Sequence, residues 1–386
     1  MVVLYLLSVV ILLVNSVTLF SVARNLEDVG DLPEPEGNHS TPLLSVVVPA
    51  RNEENTIREA LLKLLKVSYP RVEFIVVNDR SSDSTGSIVQ SLATQDQRIK
   101  LVDVKTLPVG WIGKVHALHE GVSQAHGDWV LLMDADIHLG QNVLRRVMEY
   151  VEQQSIDFLT IYPHLRTQSS FVKACMAQLT ENLFCLLKPH LAEKKNRKNY
   201  FGCGAFILIR HNAIDLMSAL HSVRFDVIDD CALAKQAKLL GAQCKVLTSR
   251  RGQVSVDWYS TLGAMFAGLE KNSFAFFSYK IGLALGFQLL EIAVLAGLGV
   301  GLIALYPPTI LVTILYIYAR FSLSRAVGAP LFSVFLFPLT RPLMILPGAL
   351  ATLKVLLRGK VTWRGTDYSL KELKAAKCFD ITDHLQ

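Results

Sequence analysis

Residues Trp129 to Met133 form a short apolar run that stops at Asp134-Ala135-Asp136. Two carboxylates at i and i+2 on a strand-to-loop turn can aim at one hard cation. Mg2+ or Mn2+ takes oxygen ligands, commonly one or two carboxylates with the remainder from substrate phosphate. An isolated Asp-x-Asp is equally at home as a turn or a helix cap. A second acidic pair, Asp229-Asp230, precedes a helical pattern that carries Leu233, Ala237 and Leu240 and stops at Gly241. Adjacent carboxylates repel, so one of them gains proton affinity, which suits a general base. Spacing does not choose between the two, since Asp229 could simply cap the helix. Asp79 closes another apolar run, "VEFIVVND". Lys114 follows Gly113 just ahead of a helical pattern, a natural place for a diphosphate. Gly202 and Gly204, in "YFGCGAF", allow a backbone to come close to a ligand.

These residues need a frame. Apolar runs at 43–50, 72–79, 99–104 and 129–136 read as buried strands. Between them, 53–66, 84–94 and 114–125 read as helices, the first with Ile57, Leu61, Leu64 and Leu65 on one face. Alternating strands and helices predict an α/β domain with a mostly parallel twisted sheet and helices on both faces. Ligands in such sheets bind beyond the carboxyl ends of the strands. Asp79, Asp134 and Asp136 therefore open onto one crevice.

The 386 residues are 51% hydrophobic and carry a formal charge of +6, but the apolar residues are unevenly spread. Residues 1–23 predict a transmembrane anchor, 24–42 an exposed linker, and 43–262 the soluble domain. Residues 263–280 read as an interfacial amphipathic helix, and 281–357 as a membrane region of two to three segments. Glu291 within it must face protein or water. Residues 326–357, broken by Pro338, Arg341, Pro342 and Pro347, predict a kinked hairpin or interfacial segment that stays on its own side, or else a full span. Residues 358–386 read as a basic tail. Arg320, Arg325 and the tail's charges place that side in the cytosol. No dense basic stripe is present, so nucleic acid is not an expected partner. The six cysteines include no C-x-x-C pair and read as reduced, structural residues.

The stretches "VPARNEENTI", "IVVNDRSSDST", "GWIGKVHAL", "LLMDADI", "FGCGAFILIRHNAI" and "IDDCALAKQAKLLG" resemble, in order and spacing, membrane-bound family 2 glycosyltransferases of the GT-A fold. The nearest look is to the hopene-associated or carotenoid-type group. The resemblance implies that Pro49, Ala50, Arg51 and Glu53 line a nucleotide base and that Asp79 holds the uracil or ribose. The family's Asp-Asp is here Asn78-Asp79, which leaves base identity more open. Lys114, Asp134, Gly202 and Gly204 are implied to bind a nucleotide-diphosphate sugar, with UDP expected. Asp134 and Asp136 would hold Mg2+ or Mn2+, and Asp230, paired with Asp229, would be the base. Trp363-Arg364-Gly365 resembles a family segment near the active face. The implied reaction is an inverting, metal-dependent transfer of one sugar to a membrane lipid. It would take place in the inner or plasma membrane, with the catalytic domain in the cytosol. The Gln-x-x-Arg-Trp of many processive synthases is absent. Its absence argues against the alternative of a polysaccharide synthase. The retained carboxylates argue against a non-catalytic scaffold.

Overall fold

The computed structural model describes residues 2–34, 41–363 and 366–385. Helix α1 (Val2–Asn25) leads into a two-residue strand, β1 (Glu27–Asp28). The domain proper starts with β2 (Leu44–Ala50), α2 (Ile57–Leu64), β3 (Val72–Asp79), α3 (Thr85–Ala93) and β4 (Ile99–Val104). It continues through α4 (Gly113–Val122), β5 (Trp129–Leu132), β6 (Ile137–Leu139), α5 (Val143–Gln153), β7 (Phe158–Tyr162) and β8 (His164–Arg166). Then come α6 (Ser170–Leu187), β9 (Ile207–Arg210), α7 (Leu216–Ser222), α8 (Asp229–Leu239), β10 (Cys244–Thr248) and β11 (Val254–Asp257).

Eight strands form the main sheet in the order β1-β10-β7-β9-β5-β2-β3-β4. All neighbours are parallel except β9, which runs antiparallel to both β5 and β7. Side chains alternate across a strand, so each continuous apolar run feeds two cores. Val47, Ile75, Val77 and Leu132 face α4, α7 and α8. Val46, Val48, Phe74, Val76 and Leu131 face α2, α3 and α5. The chain runs outward from β2 to β3 and β4, then returns to set β5 on the other side of β2. That reversal is a topological switch point, and a crevice opens where β2 and β5 end. A small sheet of β6, β11 and β8 stands beyond it.

The predicted helix 53–66 begins only at Ile57. Residues 53 and 54 are instead held in a turn, where Thr85 Oγ1 accepts from Glu53 N at 2.8 Å and Asp83 accepts from Glu54 N at 3.1 Å. The linker expectation for 24–42 is also corrected in part. β1 adds to the sheet edge beside β10, and buried Asp28 accepts the amides of Gly30 and Arg250. Residues 35–40 of that linker lie outside the described residues.

Beyond the domain run α9 (Leu262–Phe276), α10 (Ile281–Ile303) and α11 (Pro307–Val327). Among the described residues, four helical stretches are long and apolar enough to cross a membrane: Tyr5–Asn25, Ile281–Ile303, Pro307–Val327 and Leu331–Arg358. The last is not one rod. A 3-10 turn, Leu331–Leu336, leads into α12 (Phe337–Leu343), which contains Pro342, and α13 (Ile345–Arg358) follows a break at Met344. The segment starts just after Ala326, whose carbonyl accepts from Thr248 Oγ1. It ends at the hairpin of β12 (Lys360–Trp363) and β13 (Thr366–Ser369), whose Tyr368 reaches Gly113. Both ends therefore meet the α/β domain.

Buried ion pairs hold this region. Arg341 of α12 grips Glu291, which lies ten residues into α10, about 15 Å along its axis. Arg320 of α11 pairs with Glu181 of α6. Tyr316 joins the two pairs, donating to Glu181 and accepting from Arg341 at 2.9 Å. Arg320, read from the sequence as a marker of membrane sidedness, is thus sealed inside the helix packing. Segment 263–280 does not lie free at an interface either. α9 packs along α13, with Lys354 and Glu270 at 2.6 Å, and buries Phe274 and Ala275.

The basic tail is docked on the domain. Asp226 accepts the amides of Cys378 and Phe379, Tyr200 accepts that of Asp380, and Leu373, Phe379 and Ile381 are buried. α14 (Leu370–Ala376) links hairpin and terminus. Arg364 and Gly365 lie outside the described residues. Arg341→Ala leaves Glu291 charged and unpaired, an expected loss of about 3–5 kcal/mol. Arg341→Met with Glu291→Leu should recover most of it. Thermal unfolding in detergent reads both, and an unchanged melting temperature for Arg341→Ala would exclude this role.

Candidate functional site

The crevice at the ends of β2, β3 and β5 is a cleft of about 220 Å³. Pro49, Ala50, Arg51, Glu53, Asp79, Lys114, Asp134 and Asp136 all line it. A narrow recess in its floor shares Lys114 and Asp134 and adds Gly204, Asp229 and Asp230. Gly202 stands behind, against the start of α8. Tertiary structure thus gathers every predicted site residue in one place.

Lys114 is the centre of charge. It sits in the first turn of α4, its Nζ 2.6 Å from Asp134 and 4.0 Å from Asp229. Burial works against its charged form, but Asp134, Asp229 and Asp230 together raise its proton affinity above that of an ordinary lysine. The residue before α4, Ile112, makes no side-chain cap, and the helix's first amide, Gly113 N, donates instead to the Tyr368 hydroxyl at 3.4 Å.

Asp230 accepts from Gly204 N at 3.1 Å and from Cys231 N at 2.8 Å. Burial and then the charge of Asp229 push its carboxyl up to about 6. Asp229 faces Lys114 instead, so the two neighbours have different surroundings. Asp136 is exposed at the cleft mouth, yet the protein crowded around it and then the charge of Asp134 push its carboxyl up as well. Among the described residues no third His, Cys, Asp or Glu completes a metal cluster.

Gly202 and Gly204 are both forced by proximity. A Cβ on Gly202 would lie 2.1 Å from the carbonyl oxygen of Asp230, and one on Gly204 2.8 Å from Lys114 Nζ. Asp79 lines the cleft as expected, but its carboxylate is not open. Arg80, in the left-handed region at φ 53°, forks onto it at 2.7 and 2.9 Å. Trp111 packs edge-on among His116, His119 and His221 and does not line the cleft.

Sequence reasoning missed two wall residues, Trp258 and Tyr368. Trp258 follows β11, and nothing in its local pattern marks it. Tyr368 comes from the docked tail, its hydroxyl 3.4 Å from Gly113 N. The aromatic within "TDYS" was the sole signal available.

Gly202→Ala should displace the first turn of α8 and cost about 1–3 kcal/mol in thermal unfolding. Gly263→Ala, where no neighbour lies closer than 4.0 Å, should be neutral or mildly stabilising. Equal effects at the two glycines would remove the close-approach argument.

Residues 45–216 match the family model described as Glycosyl transferase family 2. The chain is 42% identical over 103 residues to a probable glycosyltransferase, YdaM, of Bacillus subtilis (strain 168), covering 26% of this chain and 24% of that protein. It is 34% identical over 127 residues to a 4,4'-diaponeurosporenoate glycosyltransferase of Staphylococcus haemolyticus (strain JCSC1435), covering 32% of this chain and 33% of that protein. The matched region thus spans about a quarter to a third of these relatives. A mannosyltransferase, PcManGT, from Pyrobaculum calidifontis, solved in complex with GDP-Man and Mn2+, superposes with a TM-score of 0.54 at 16% identity. That superposition covers 87% of this chain and 99% of the other, and the shared fold is GT-A-like.

Proposed function

We propose that this chain, whose residues 45–216 match the model of glycosyl transferase family 2, moves one sugar from a nucleotide-diphosphate sugar to a membrane lipid with inversion. The observation that carries this reading is the single cleft. It joins strand ends suited to a nucleoside, a lysine on a helix N-terminus and two differently tuned acidic pairs. The relation to four long apolar helices supports a lipid acceptor.

Pro49 to Glu53 and Asp79 receive the nucleoside, with uracil the proposed base. Lys114 and the first amides of α4 face the diphosphate and take up its charge as its bond to the anomeric carbon breaks. Asp230 removes the acceptor hydroxyl's proton as that oxygen bonds to the same carbon from the opposite side. Asp229 raises the proton affinity of Asp230 and orients Lys114. The donor set fits Mg2+ or Mn2+. Asp134 and Asp136 are hard oxygen ligands whose crowded charge a cation would relieve, and the remaining ligands would come from diphosphate and water. Held by Asp134 and Asp136, such an ion would supply positive charge to the leaving diphosphate. The Mn2+ named in the PcManGT complex supports this assignment.

Calorimetric titration of the purified protein with UDP and Mn2+ tests the roles. Asp136→Ala should lose the Mn2+-dependent part of binding. Asp230→Asn should bind as before and lose about 10²–10⁴ in turnover. Binding of GDP in preference to UDP would replace uracil as the base. The base must be unprotonated, so kcat/KM should fall as pH drops below about 6. Asp229→Asn removes a like charge and should move that limb to lower pH. A limb that stays put would sink the coupling. Mass spectrometry of the lipid product should show a single added sugar, whereas a ladder would favour the processive alternative.

The domain is proposed to lie in the cytosol, where nucleotide sugars are made. α10 and α11 then form a transmembrane hairpin, and 331–358 returns to the side it left. In a cysteine-free background, a cysteine at Leu305, in the turn between α10 and α11, should react with an impermeant reagent on intact cells. One at Arg58, on α2, should not. The reverse pattern would invert the topology.

A further inference from the structure

We propose that Trp258 is the acceptor-side wall of the cleft, its free indole face receiving the apolar body of a lipid alcohol beside the reacting hydroxyl. This rests on the transfer reading above and assigns the half of the substrate that the carboxylates and Lys114 do not account for.

Position comes first. Trp258 lies one residue beyond β11, and β11 pairs Val256 with Ile137, the residue after Asp136. The indole therefore stands beside Asp136. The strand ends proposed for the nucleoside belong to β2 and β3 in the other sheet. Of the three tryptophans whose side chains are described, Trp129 is sealed in the core and Trp111 is packed among histidines. Trp258 is 37% exposed and lines the cleft.

The indole is also pre-set. Tyr259 stacks on it with centroids 5.2 Å apart and planes 15° from parallel. The Tyr259 ring in turn lies against α9 at Gly268, where a Cβ would sit 2.5 Å from the ring. A large aromatic fixed before binding gives up little side-chain entropy when a ligand covers it. Trp258 lines the cleft with Asp134, Ala135 and Asp136, and with Tyr368 it supplies the cleft's aromatic surface.

What lies behind the stack identifies the ligand's chemistry. Tyr259, Leu262, Phe266 and Leu269 pack with buried Met265, and this cluster reaches Leu343 and Met344 at the break between α12 and α13. Apolar side chains thus run without interruption from the returning segment to the indole. A hydroxyl carried on an apolar body matches that sequence of surfaces: carboxylate for the hydroxyl, indole for the adjoining carbon skeleton, α9 for the remainder.

The test uses full-length protein in mixed micelles, with a total lipid extract of the source cells as acceptor and UDP-sugar as donor. Trp258→Ala should raise the half-saturating extract concentration at least about tenfold. Donor KM should change far less than the half-saturating extract concentration, and Trp258→Phe should restore most of the loss. A rise in donor KM instead, or no change in either constant, overturns the proposal. Fluorescence gives a readout that needs no turnover. A dibrominated stearyl alcohol should quench the emission component that Trp258→Phe removes. Equal fractional quenching of wild type and Trp258→Phe overturns the proposal. Quenching confined to wild type, with no transfer in any protein, would instead count against the transfer reading.

Discussion

A half-buried cation between acidic groups organises the site. Lys114 enters from α4, Asp134 from the end of β5, and Asp229 from the start of α8. An uncompensated carboxylate cluster at this depth would repel itself and take up protons. With Lys114 present, three separate elements converge and the carboxylates stay close. The glycines follow from the same crowding. Gly204 leaves room for the lysine head, and Gly202 lets the loop lie on the backbone of Asp230. The unequal environments of Asp229 and Asp230 follow as well, because only Asp229 is turned toward Lys114. Tuning of two adjacent, chemically identical residues is thus a property of the fold around them.

The membrane region obeys a parallel rule with a different outcome. Glu291, Arg341, Arg320 and Glu181 are each costly to bury alone, and each is paired. Arg341 lies on a segment broken by proline, where helix geometry cannot hold the chain straight. The ion pair with Glu291 fixes that broken segment against α10. Arg320 with Glu181 does the same between α11 and α6, a helix of the catalytic domain. The helices and the domain are therefore tied by directional polar contacts as well as by apolar packing. This fixes where the apolar helices stand relative to the cleft.

The docked terminus extends this logic. Tyr368 reaches the first amide of α4, the same helix end that carries Lys114. Asp226, three residues before Asp229, accepts two amides of the terminal segment. Burial pushes its carboxyl up to about 6 even though those amides favour the charged form. The wall of the cleft and the start of α8 are thus anchored to the chain's last residues.

Local pattern sufficed for much of this. The apolar runs ending in Asp79 and Asp134 marked strands and the edge at which they open, because side-chain periodicity and the right-handed crossover rule leave few alternatives. Glycine and acid types at Asp134, Asp136, Gly202, Gly204, Asp229 and Asp230 marked the site, since few other residues serve close approach or proton and metal chemistry. Glu291 was legible as a residue needing a partner, because its burial cost is intrinsic. The partner was not legible, because Arg341 is distant in sequence and its pairing depends on how a proline-broken segment folds back. The same limit hid Arg80 on Asp79, the sealed position of Arg320, the sheet-edge role of Glu27–Asp28 and the walls formed by Trp258 and Tyr368. Each depends on which surfaces meet in three dimensions, and neither residue type nor spacing encodes that.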